Sequence, residues 1–359
     1  MTGRFSLILA LGVALLLALG ACTPRAAFQP RGWSGVAIDR VGEVLFVGEG
    51  KGILLALDAS DGKERWRFPP GNGKGVEQPG PVYSAPALGE GLVYLGGWNG
   101  RVYAIRQGDG SMAWSFPTKG PLVASPILAD KVLLVASSDG FLYALDAQDG
   151  KLLWQFDAGG RIWSTPAVAD GTVFFGTMRK KVFAVSLAEG ARRWSVEVQG
   201  AVLNSPVLAK GKVFIGAVDR TLYALDALSG EVLWKAKGDG WFWAGVAVQE
   251  DTLFAATTGG SVYALDVETG RERWRAPVRG AVVSPLALTP QGVMVATDQG
   301  RVHILRVQDG REVWLYDMGT PVRSGVAVRE GLAYVVGMDE TLRAFNTARG
   351  TVLWSKSLK

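Results

Sequence analysis

The sequence has very few of the residues on which most catalytic chemistry depends. Its 359 residues include one histidine, His303, and one cysteine, Cys22. A single cysteine excludes a framework of intramolecular disulfides. There is also no Gly-x-Ser-x-Gly segment, no Gly-Lys-Ser/Thr phosphate loop and no cluster of oxygen ligands at the spacing of a metal site. We therefore predict that the protein is not an enzyme and binds neither a metal nor a cofactor.

Runs of like charge and helical periodicity are also scarce. Basic residues number 38 and acidic residues 33, for a formal net charge of +5, and the longest basic cluster is Arg179-Lys180-Lys181. No nucleic-acid-binding arm is therefore expected. After residue 21 no segment keeps a helical period, so the predicted fold class is all-β.

What the sequence contains instead is a repeat, seen clearly in the segment FLYALDAQDGKLLW at residues 141–154. The closing tryptophan recurs every 40 residues from Trp114 onward, after one step of 48. A glycine precedes each of these tryptophans by four residues, as Gly150 precedes Trp154, and we expect it to shape a tight turn. The eight tryptophans are Trp66, Trp114, Trp154, Trp194, Trp234, Trp274, Trp314 and Trp354.

Turn signals divide each repeat into four short strands. In the repeat that ends at Trp194, the predicted strands are 164–168, 172–177, 182–187 and 192–197. Four antiparallel strands in every repeat predict an eight-bladed β-propeller over residues 33–359. The first blade would run from Trp33 to Phe68 and the last from about Pro321 to Lys359, each with all four strands. In an alternative arrangement, residues 26–32 add an edge strand.

The pattern Ala-x-Asp-x-x-x-Gly-x-x-x-Trp, as in Ala144, Asp146, Gly150 and Trp154, resembles the tryptophan-docking repeat of the pyrroloquinoline-quinone (PQQ) propeller superfamily. The resemblance implies that each repeated tryptophan is structural and wedges between neighbouring blades. The superfamily includes quinoprotein dehydrogenases, whose pocket binds PQQ and Ca²⁺, often beside a disulfide between adjacent cysteines. This chain has no such cysteine pair, and its repeats are too short for the extra loops of those enzymes.

Two features that suggest chemistry have simpler interpretations. His303 stands where other repeats have a tyrosine, as at Tyr143, so we interpret it as a strand residue and not as a general base. The segments beginning at Asp58 and Asp146 have the Asp and Gly residues of a calcium loop. They fall in the predicted turn between the third and fourth strands, where these residue types favour tight turns.

The first 21 residues have the features of a secretory signal, because Arg4 is followed by an apolar run from Phe5 to Ala21. The run ends in Leu-Gly-Ala-Cys22, which resembles the lipobox of bacterial lipoproteins and implies lipidation of Cys22. We therefore predict a signal peptide at 1–21, a tether at 22–32 and the propeller at 33–359. The predicted location is the cell envelope, and the outer membrane where the source has one.

Residues that differ between repeats are predicted to cluster on one face of the ring. The loops that join successive blades share this face with the loops that join second and third strands, and the Gly/Pro-rich insertion at 69–81 lies there too. Tryptophan, tyrosine and arginine together are typical of binding hot spots, although the aromatic residues could instead plug the mouth of the channel. The candidate partner-binding residues are Trp33, Tyr83, Trp98, Trp163, Arg179, Lys180, Trp241, Trp243 and Arg323.

Lipobox, tether and eight-bladed propeller together resemble the BamB family of outer-membrane assembly lipoproteins. The resemblance implies a non-catalytic, lipid-anchored scaffold that binds protein partners of the cell envelope, among them a β-barrel assembly subunit. The alternative function is a PQQ-binding enzyme or a propeller that senses a sugar or another ligand. The fold alone is compatible with either function.

Overall fold

The computed structural model describes residues 32–71 and 77–359. Within these ranges the chain forms β-strands and no helix, as predicted for an all-β protein. None of the described residues belongs to a helix with the length and hydropathy needed to cross a membrane. The predicted signal peptide, Cys22, tether residues 22–31 and part of the insertion, residues 72–76, lie outside the described residues.

The strands form eight four-stranded sheets, the blades, each built from four consecutive strands. Blade 1 contains β1 (Val36–Ile38), β2 (Val44–Gly48), β3 (Leu54–Asp58) and β4 (Glu64–Phe68). Blade 2 contains β5 (Ala87–Leu88), β6 (Leu92–Gly96), β7 (Arg101–Arg106) and β8 (Met112–Pro117). Blade 3 contains β9 (Ile127–Ala129), β10 (Val132–Ala136), β11 (Phe141–Asp146) and β12 (Leu152–Asp157). Blade 4 contains β13 (Ala167–Ala169), β14 (Thr172–Gly176), β15 (Lys181–Ser186) and β16 (Arg192–Glu197).

The second half of the ring repeats this architecture. Blade 5 contains β17 (Val207–Ala209), β18 (Lys212–Gly216), β19 (Thr221–Asp226) and β20 (Val232–Lys237). Blade 6 contains β21 (Val246–Gln249), β22 (Thr252–Ala256), β23 (Ser261–Asp266) and β24 (Glu272–Pro277). Blade 7 contains β25 (Ala287–Thr289), β26 (Gly292–Ala296), β27 (Arg301–Leu305) and β28 (Glu312–Asp317). Blade 8 contains β29 (Ala327–Arg329), β30 (Leu332–Val336), β31 (Thr341–Asn346) and β32 (Thr351–Ser357). The prediction of an eight-bladed propeller with antiparallel four-stranded blades is confirmed.

Each blade has a β-bulge directly before its repeated tryptophan. In blade 3, Ala144 pairs with Trp154 and Leu145 pairs with Leu152, so that Leu153 has no partner across the strands. The same shift of register occurs at the corresponding place in the other seven blades. A bulge bends and twists the outer strand locally. The tryptophan that follows the bulge points toward the next blade.

Hydrophobic clusters between adjacent blades form the core of the ring, one at each of the eight seams. Strand β14 illustrates the arrangement, because Phe174 packs with Ile215 of blade 5 while Phe175 packs with Leu134 of blade 3. Both faces of a middle strand are therefore buried. This explains why apolar runs such as VFFG show no alternation of polar and apolar residues.

The repeated tryptophan of each blade docks on the blade that follows. Trp154 donates a hydrogen bond from its indole Nε1 to the carbonyl oxygen of Leu187 in blade 4, at 2.8 Å. The equivalent bond forms at the other seven seams. The ring of Trp154 covers Gly190, where a Cβ atom would lie 2.6 Å from Cε3. Because Gly190 also has a φ of +69°, its position excludes a side chain for two reasons, the left-handed backbone and the neighbouring ring.

The last blade docks on the first by the same contacts. Trp354 donates from Nε1 to the carbonyl oxygen of Ala59 at 3.2 Å, and the hydroxyl of Tyr334 donates to the same oxygen at 3.4 Å. Leu45 of blade 1 and Leu342 of blade 8 belong to one buried cluster. Because blades 1 and 8 are each complete sheets, the ring closes without a blade shared between the two ends.

Candidate functional site

Two sets of loops define one face of the ring, which we call the loop face. One set joins the second strand of each blade to the third, and the other joins the fourth strand of a blade to the first strand of the next. Because neighbouring strands are antiparallel, the hairpin turns between strands one and two and between strands three and four lie on the opposite face, the turn face. Eight of the nine predicted partner-binding residues belong to these loops, and Trp33 lies in the segment that precedes β1.

One residue of each of the seven inter-blade loops, and one residue of the segment before β1, stands at the mouth of the central channel, just before the inner strand. Seven of the eight are half-buried, and Arg323 is exposed. The residue that precedes each of them is buried in a seam. Phe242, which follows Trp241 in the sequence, is such a seam residue, since it is 3% exposed and packs against Tyr263 at a ring-centroid distance of 6.0 Å. The eight channel-mouth residues are Trp33, Tyr83, Val123, Trp163, Leu203, Trp243, Val283 and Arg323.

Four of the predicted residues form a continuous group, the aromatic cluster, which consists of Arg323, Trp33, Tyr83 and Trp98. The guanidinium of Arg323 lies 5.7 Å from the ring centroid of Trp33. Trp33 meets Tyr83 edge-to-face at 4.7 Å, and Tyr83 meets Trp98 at 5.0 Å. Burial raises the pKa of Tyr83 to about 12, so its phenol stays neutral at physiological pH. The cluster spans the loops of blades 8, 1 and 2.

The remaining predicted tryptophans do not join the aromatic cluster. Trp163 donates from Nε1 to the hydroxyl of Ser138 at 3.1 Å. The backbone N–H of Trp241 donates to Oγ1 of Thr258 at 2.9 Å, and its carbonyl accepts from the N–H of Thr258 at 2.9 Å. Trp243 stands half-buried two residues further on. The structure therefore divides the predicted aromatic residues into one contiguous cluster and separate sites on blades 4 and 6.

The loop that carries Trp241 and Trp243 is held by a carboxylate. Asp239 accepts hydrogen bonds from the hydroxyl of Ser261 and from Nη2 of Arg275, both at 2.6 Å. Burial opposes ionisation of Asp239, but hydrogen bonds from Ser261 and Thr257 and the charge of Arg275 outweigh it, so its pKa is lowered. This network fixes the loop to blade 6, and sequence reasoning did not find it.

Arg179 and Lys180 stand exposed at the tip of a loop in blade 4. The aliphatic stem of Arg179 lies against Gly160, where a Cβ atom would be 2.7 Å from Cγ of the arginine. Lys180 has a φ of +62°, a conformation that is unfavourable for a residue with a side chain. Neither residue contacts the aromatic cluster.

His303 is a buried residue of β27, as its interpretation as a strand residue expects. Its side chain is 5% exposed, and Nδ1 lies 2.7 Å from Oε2 of Glu312. Among the described residues there is no group of three or more histidine, cysteine, aspartate or glutamate side chains placed to hold a metal ion. Cys22, the predicted lipidation site, lies outside the described residues.

A buried acidic residue, absent from the sequence predictions, lies at the seam between blades 8 and 1. Glu49 is 5% exposed. Burial and the nearby charge of Glu340 raise its pKa, and the charges of Lys51 and Arg67 act in the opposite direction. The carboxylate of Glu340 lies against Gly50, where a Cβ atom would be 2.7 Å from Oε1.

A cavity of about 580 Å³ opens on the turn face, between the inner strands of blades 3 and 4. It is lined by Ile127, Leu128, Ala129, Asp130, Pro166, Ala167, Val168, Ala169, Asp170, Gly171 and Leu187. Apart from two aspartates the lining is apolar or small. None of the predicted partner-binding residues contributes to it.

Comparison with known proteins places this propeller in a family. The family profile described as "Outer membrane protein assembly factor BamB" matches residues 20–154, 158–241, 239–296 and 285–359. The chain belongs to this family. No curated protein sequence matches it.

Two solved structures are similar to this BamB-family propeller. The crystal structure of BamB from Moraxella catarrhalis has a TM-score of 0.71 and 16% identity, over 84% of this chain and 90% of that chain. The crystal structure of the computationally designed Ika8 protein has a TM-score of 0.77 and 17% identity, over 89% of this chain and 96% of that chain. At these identities the likeness shows the fold alone, and the function has to be argued from the surface of this chain.

Proposed function

We propose that this BamB-family propeller is a non-catalytic, lipid-anchored scaffold of the cell envelope, which binds protein partners and acts in outer-membrane β-barrel assembly. The observation that carries the proposal is the aromatic cluster on the loop face. Its three rings are not needed to join blades, because eight other tryptophans already occupy the seams. Half-exposed Trp and Tyr rings beside an arginine have the composition of a protein-binding hot spot.

The aromatic cluster is also organised in advance of binding. Each ring contacts the next at 4.7–5.0 Å, and Arg323 stacks on Trp33 at the end of the series. Side chains that are already held in place lose little conformational entropy when a partner binds. The same holds for Trp241, whose backbone is bonded on both sides to Thr258. Rigid aromatic residues on a rigid ring favour recognition of a partner over simple filling of the channel mouth.

A role without catalysis is supported by the state of the titratable side chains. His303, the only histidine, is buried and bonded to Glu312. The carboxylate of Asp239 already accepts hydrogen bonds from the hydroxyl of Ser261 and the guanidinium of Arg275. A general acid or base has to reach a substrate, and neither group meets that requirement on the loop face.

Attachment to a membrane is proposed through acylation of Cys22. The first described residue, Gly32, lies on the loop face, where its N–H donates to the carbonyl oxygen of Gly50 at 3.3 Å. Gly32 is ten residues after Cys22 in the sequence. The described chain therefore begins on the loop face.

The test is recovery of a partner from solubilised envelopes. The tagged full-length chain, cross-linked in cells and then purified, is expected to bring down a β-barrel assembly subunit. Recovery should fall for a chain with Trp33→Ala and Trp98→Ala, and it should persist for a chain with Leu228→Ala, which changes an 88% exposed residue of the turn face. Equal recovery by all three chains, or a source organism without an outer membrane, would defeat the proposal.

The enzyme alternative has a separate test. The purified chain is mixed with PQQ and Ca²⁺, and absorbance, melting temperature and dye-linked oxidation of alcohols and sugars are measured. The scaffold proposal expects no change in any of the three. A rise in melting temperature together with oxidation would support a quinoprotein enzyme.

A further inference from the structure

Charge is distributed unequally between the two faces of the ring. In the described loops of the loop face, the exposed charged residues are eight basic and two acidic. None of the eight basic side chains takes part in an ion pair with any residue that the structure describes. The basic residues are Lys51, Lys119, Arg161, Arg179, Lys180, Arg220, Arg279 and Arg323, and the acidic residues are Glu77 and Asp239.

The other acidic residues of these loops are turned inward, where they hold the loops. Asp139 accepts from the hydroxyl of Tyr143 at 2.9 Å, and Asp219 accepts from the hydroxyl of Tyr223 at 2.6 Å. Asp298 accepts a hydrogen bond from the backbone N–H of Ala281 at 2.7 Å. The basic side chains of the loop face are therefore exposed to solvent, whereas most of its acidic side chains accept hydrogen bonds within the protein.

The turn face has the opposite balance. Its turns expose fourteen acidic residues and nine basic residues, and basic residues such as Lys151 and Arg306 pair there with neighbouring aspartates. At the periphery of the loop face, the outer strands of blades 3, 4 and 7 end in exposed acidic residues, and blade 5 ends in Lys237. The propeller is thus an electrostatic dipole whose positive side is the loop face.

Two of the basic residues occupy positions that favour glycine. Lys180 and Arg220 have φ values of +62° and +65° at the last position of their loops. Five other blades place glycine there, also with positive φ, and blade 8 places Glu340 there with a φ of +62°: the glycines are Gly52, Gly100, Gly140, Gly260 and Gly300. A left-handed backbone costs a residue with a side chain roughly 1–2 kcal/mol. The fold would accept glycine at both sites, so Lys180 and Arg220 can be replaced by glycine without disturbing the backbone.

The described chain begins on this charged face, which favours its orientation toward a membrane anchor. Gly32 packs on the backbone of Val82, within the loop face. The ten Cα–Cα steps from Cys22 to Gly32 can span at most about 35 Å even when fully extended. If Cys22 is acylated, as the proposed function requires, the loop face is held within that distance of the lipid surface.

We propose that the loop face docks on anionic phospholipid headgroups. The arc of basic residues from Lys119 through Arg161, Arg179 and Lys180 to Arg220 contacts the headgroups. The exposed basic side chains and the first described residue, Gly32, lie on the same side of the ring, as docking on an anionic surface near the anchor requires.

This inference rests on the proposed envelope location but is tested without the anchor. The chain from residue 22, with Cys22→Ser, keeps every described strand and seam and carries no acyl group. Its binding to vesicles of phosphatidylglycerol and phosphatidylcholine is measured by co-sedimentation, with vesicles of phosphatidylcholine alone as the neutral surface. We expect binding to the anionic vesicles only, and loss of that binding at high salt because screening weakens headgroup attraction.

A matched pair of variants separates charge from stability. Lys180→Gly with Arg220→Gly removes two charges and relieves two left-handed residues, so the melting temperature should not fall while the partition coefficient drops about tenfold or more. Lys151→Gln with Lys210→Gly removes two charges from the turn face, and its binding should equal that of the parent chain. Acylation of Cys22 in the full-length chain is scored independently by mass spectrometry, so loss of the anchor and loss of the docking surface give different results.

Two outcomes would overturn the inference. One is vesicle binding that is equal for the parent and for the Lys180→Gly, Arg220→Gly chain. The other is absence of vesicle binding by the parent chain. If capture of an acidic protein then depends on Lys180 and Arg220, the basic arc is assigned to a protein partner instead of a membrane.

Discussion

Gly150 of blade 3 lies under the indole ring of Trp114 of blade 2, and not under Trp154, with which it shares a repeat. A Cβ atom at Gly150 would be 2.6 Å from Cε3 of Trp114. The backbone of Gly150 has a φ of +74°. A glycine and a tryptophan that stand four residues apart in the sequence therefore belong to two different seams, one on each side of the blade.

This relationship predicts the result of a double-mutant cycle. Gly150→Ala should lower the free energy of unfolding by about 2 kcal/mol, because alanine must adopt a left-handed backbone and displace the ring of Trp114. The cost should shrink by about 0.5 kcal/mol or more when Trp114 is already Ala, and it should be additive with Trp154→Ala. Denaturant unfolding of the single and double variants measures both couplings. A larger coupling to Trp154 would contradict this description of the seam.

The fold could be predicted because its signals are local in the sequence. Each repeat has its own turn residues, apolar runs and tryptophan, and a blade is made from strands that follow one another in the chain. The partner of each glycine could not be predicted, because the contact between Gly150 and Trp114 joins two repeats. In the sequence Gly150 stands nearest to Trp154. Only the structure of the closed ring shows that Trp114 covers Gly150.

The direction in which the charged side chains point could not be predicted from the sequence either. Asp139 and Arg179 occupy the same position in their loops, and both are polar. Asp139 turns inward because the hydroxyl of Tyr143, four residues later, donates to it at 2.9 Å. Blade 4 has Phe183 in place of that tyrosine, which offers no hydroxyl, and Arg179 points into solvent. The exposed charge of the loop face thus depends on hydrogen-bond donors such as the hydroxyl of Tyr143. A count of acidic and basic residues does not include them.

The buried carboxylate of Glu49 predicts a pH-dependent stability. Its pKa is raised in the folded protein, so folding favours the protonated form, and the penalty for the charged form appears as the pH rises through the raised value. Glu49→Gln should therefore stabilise the protein at pH 8 by about 1 kcal/mol or less, and the gain should vanish below the ordinary glutamate value near pH 4.5. Thermal unfolding across this pH range is the measurement. Glu43→Gln, at an exposed residue of the same blade, is the control, and a gain from Glu49→Gln that did not vary with pH would contradict the assignment.

The network around Asp239 predicts a loop that loosens when the carboxylate is lost. Asp239→Asn removes the charge that Arg275 neutralises and weakens the bond from Ser261, so the free energy of unfolding should fall by about 1–2 kcal/mol at neutral pH. The folded pKa of Asp239 is lowered, so this stabilisation is present above its ordinary value of 3.8 and is lost as the pH falls through the folded value. Hydrogen exchange should accelerate at the amide of Trp241, which bonds to Thr258. Unchanged protection of that amide would show that the loop is held by other contacts.

The half-buried tryptophans beside blades 4 and 6 are predicted to be binding residues that the fold does not need. Trp163, Trp241 and Trp243 are half-buried, and none of them belongs to one of the eight seam clusters. Replacing all three with alanine should change the melting temperature by no more than a few degrees, while the amount of captured partner falls severalfold. A seam variant, Trp234→Ala, gives the contrast, because its indole bonds to Val267 of the next blade at 3.1 Å and its loss should cost about 3–5 kcal/mol. Partner capture is quantified by pull-down from cross-linked envelopes, and stability by calorimetry on the same preparations. A triple variant that melts as early as Trp234→Ala would show that the three rings belong to the core.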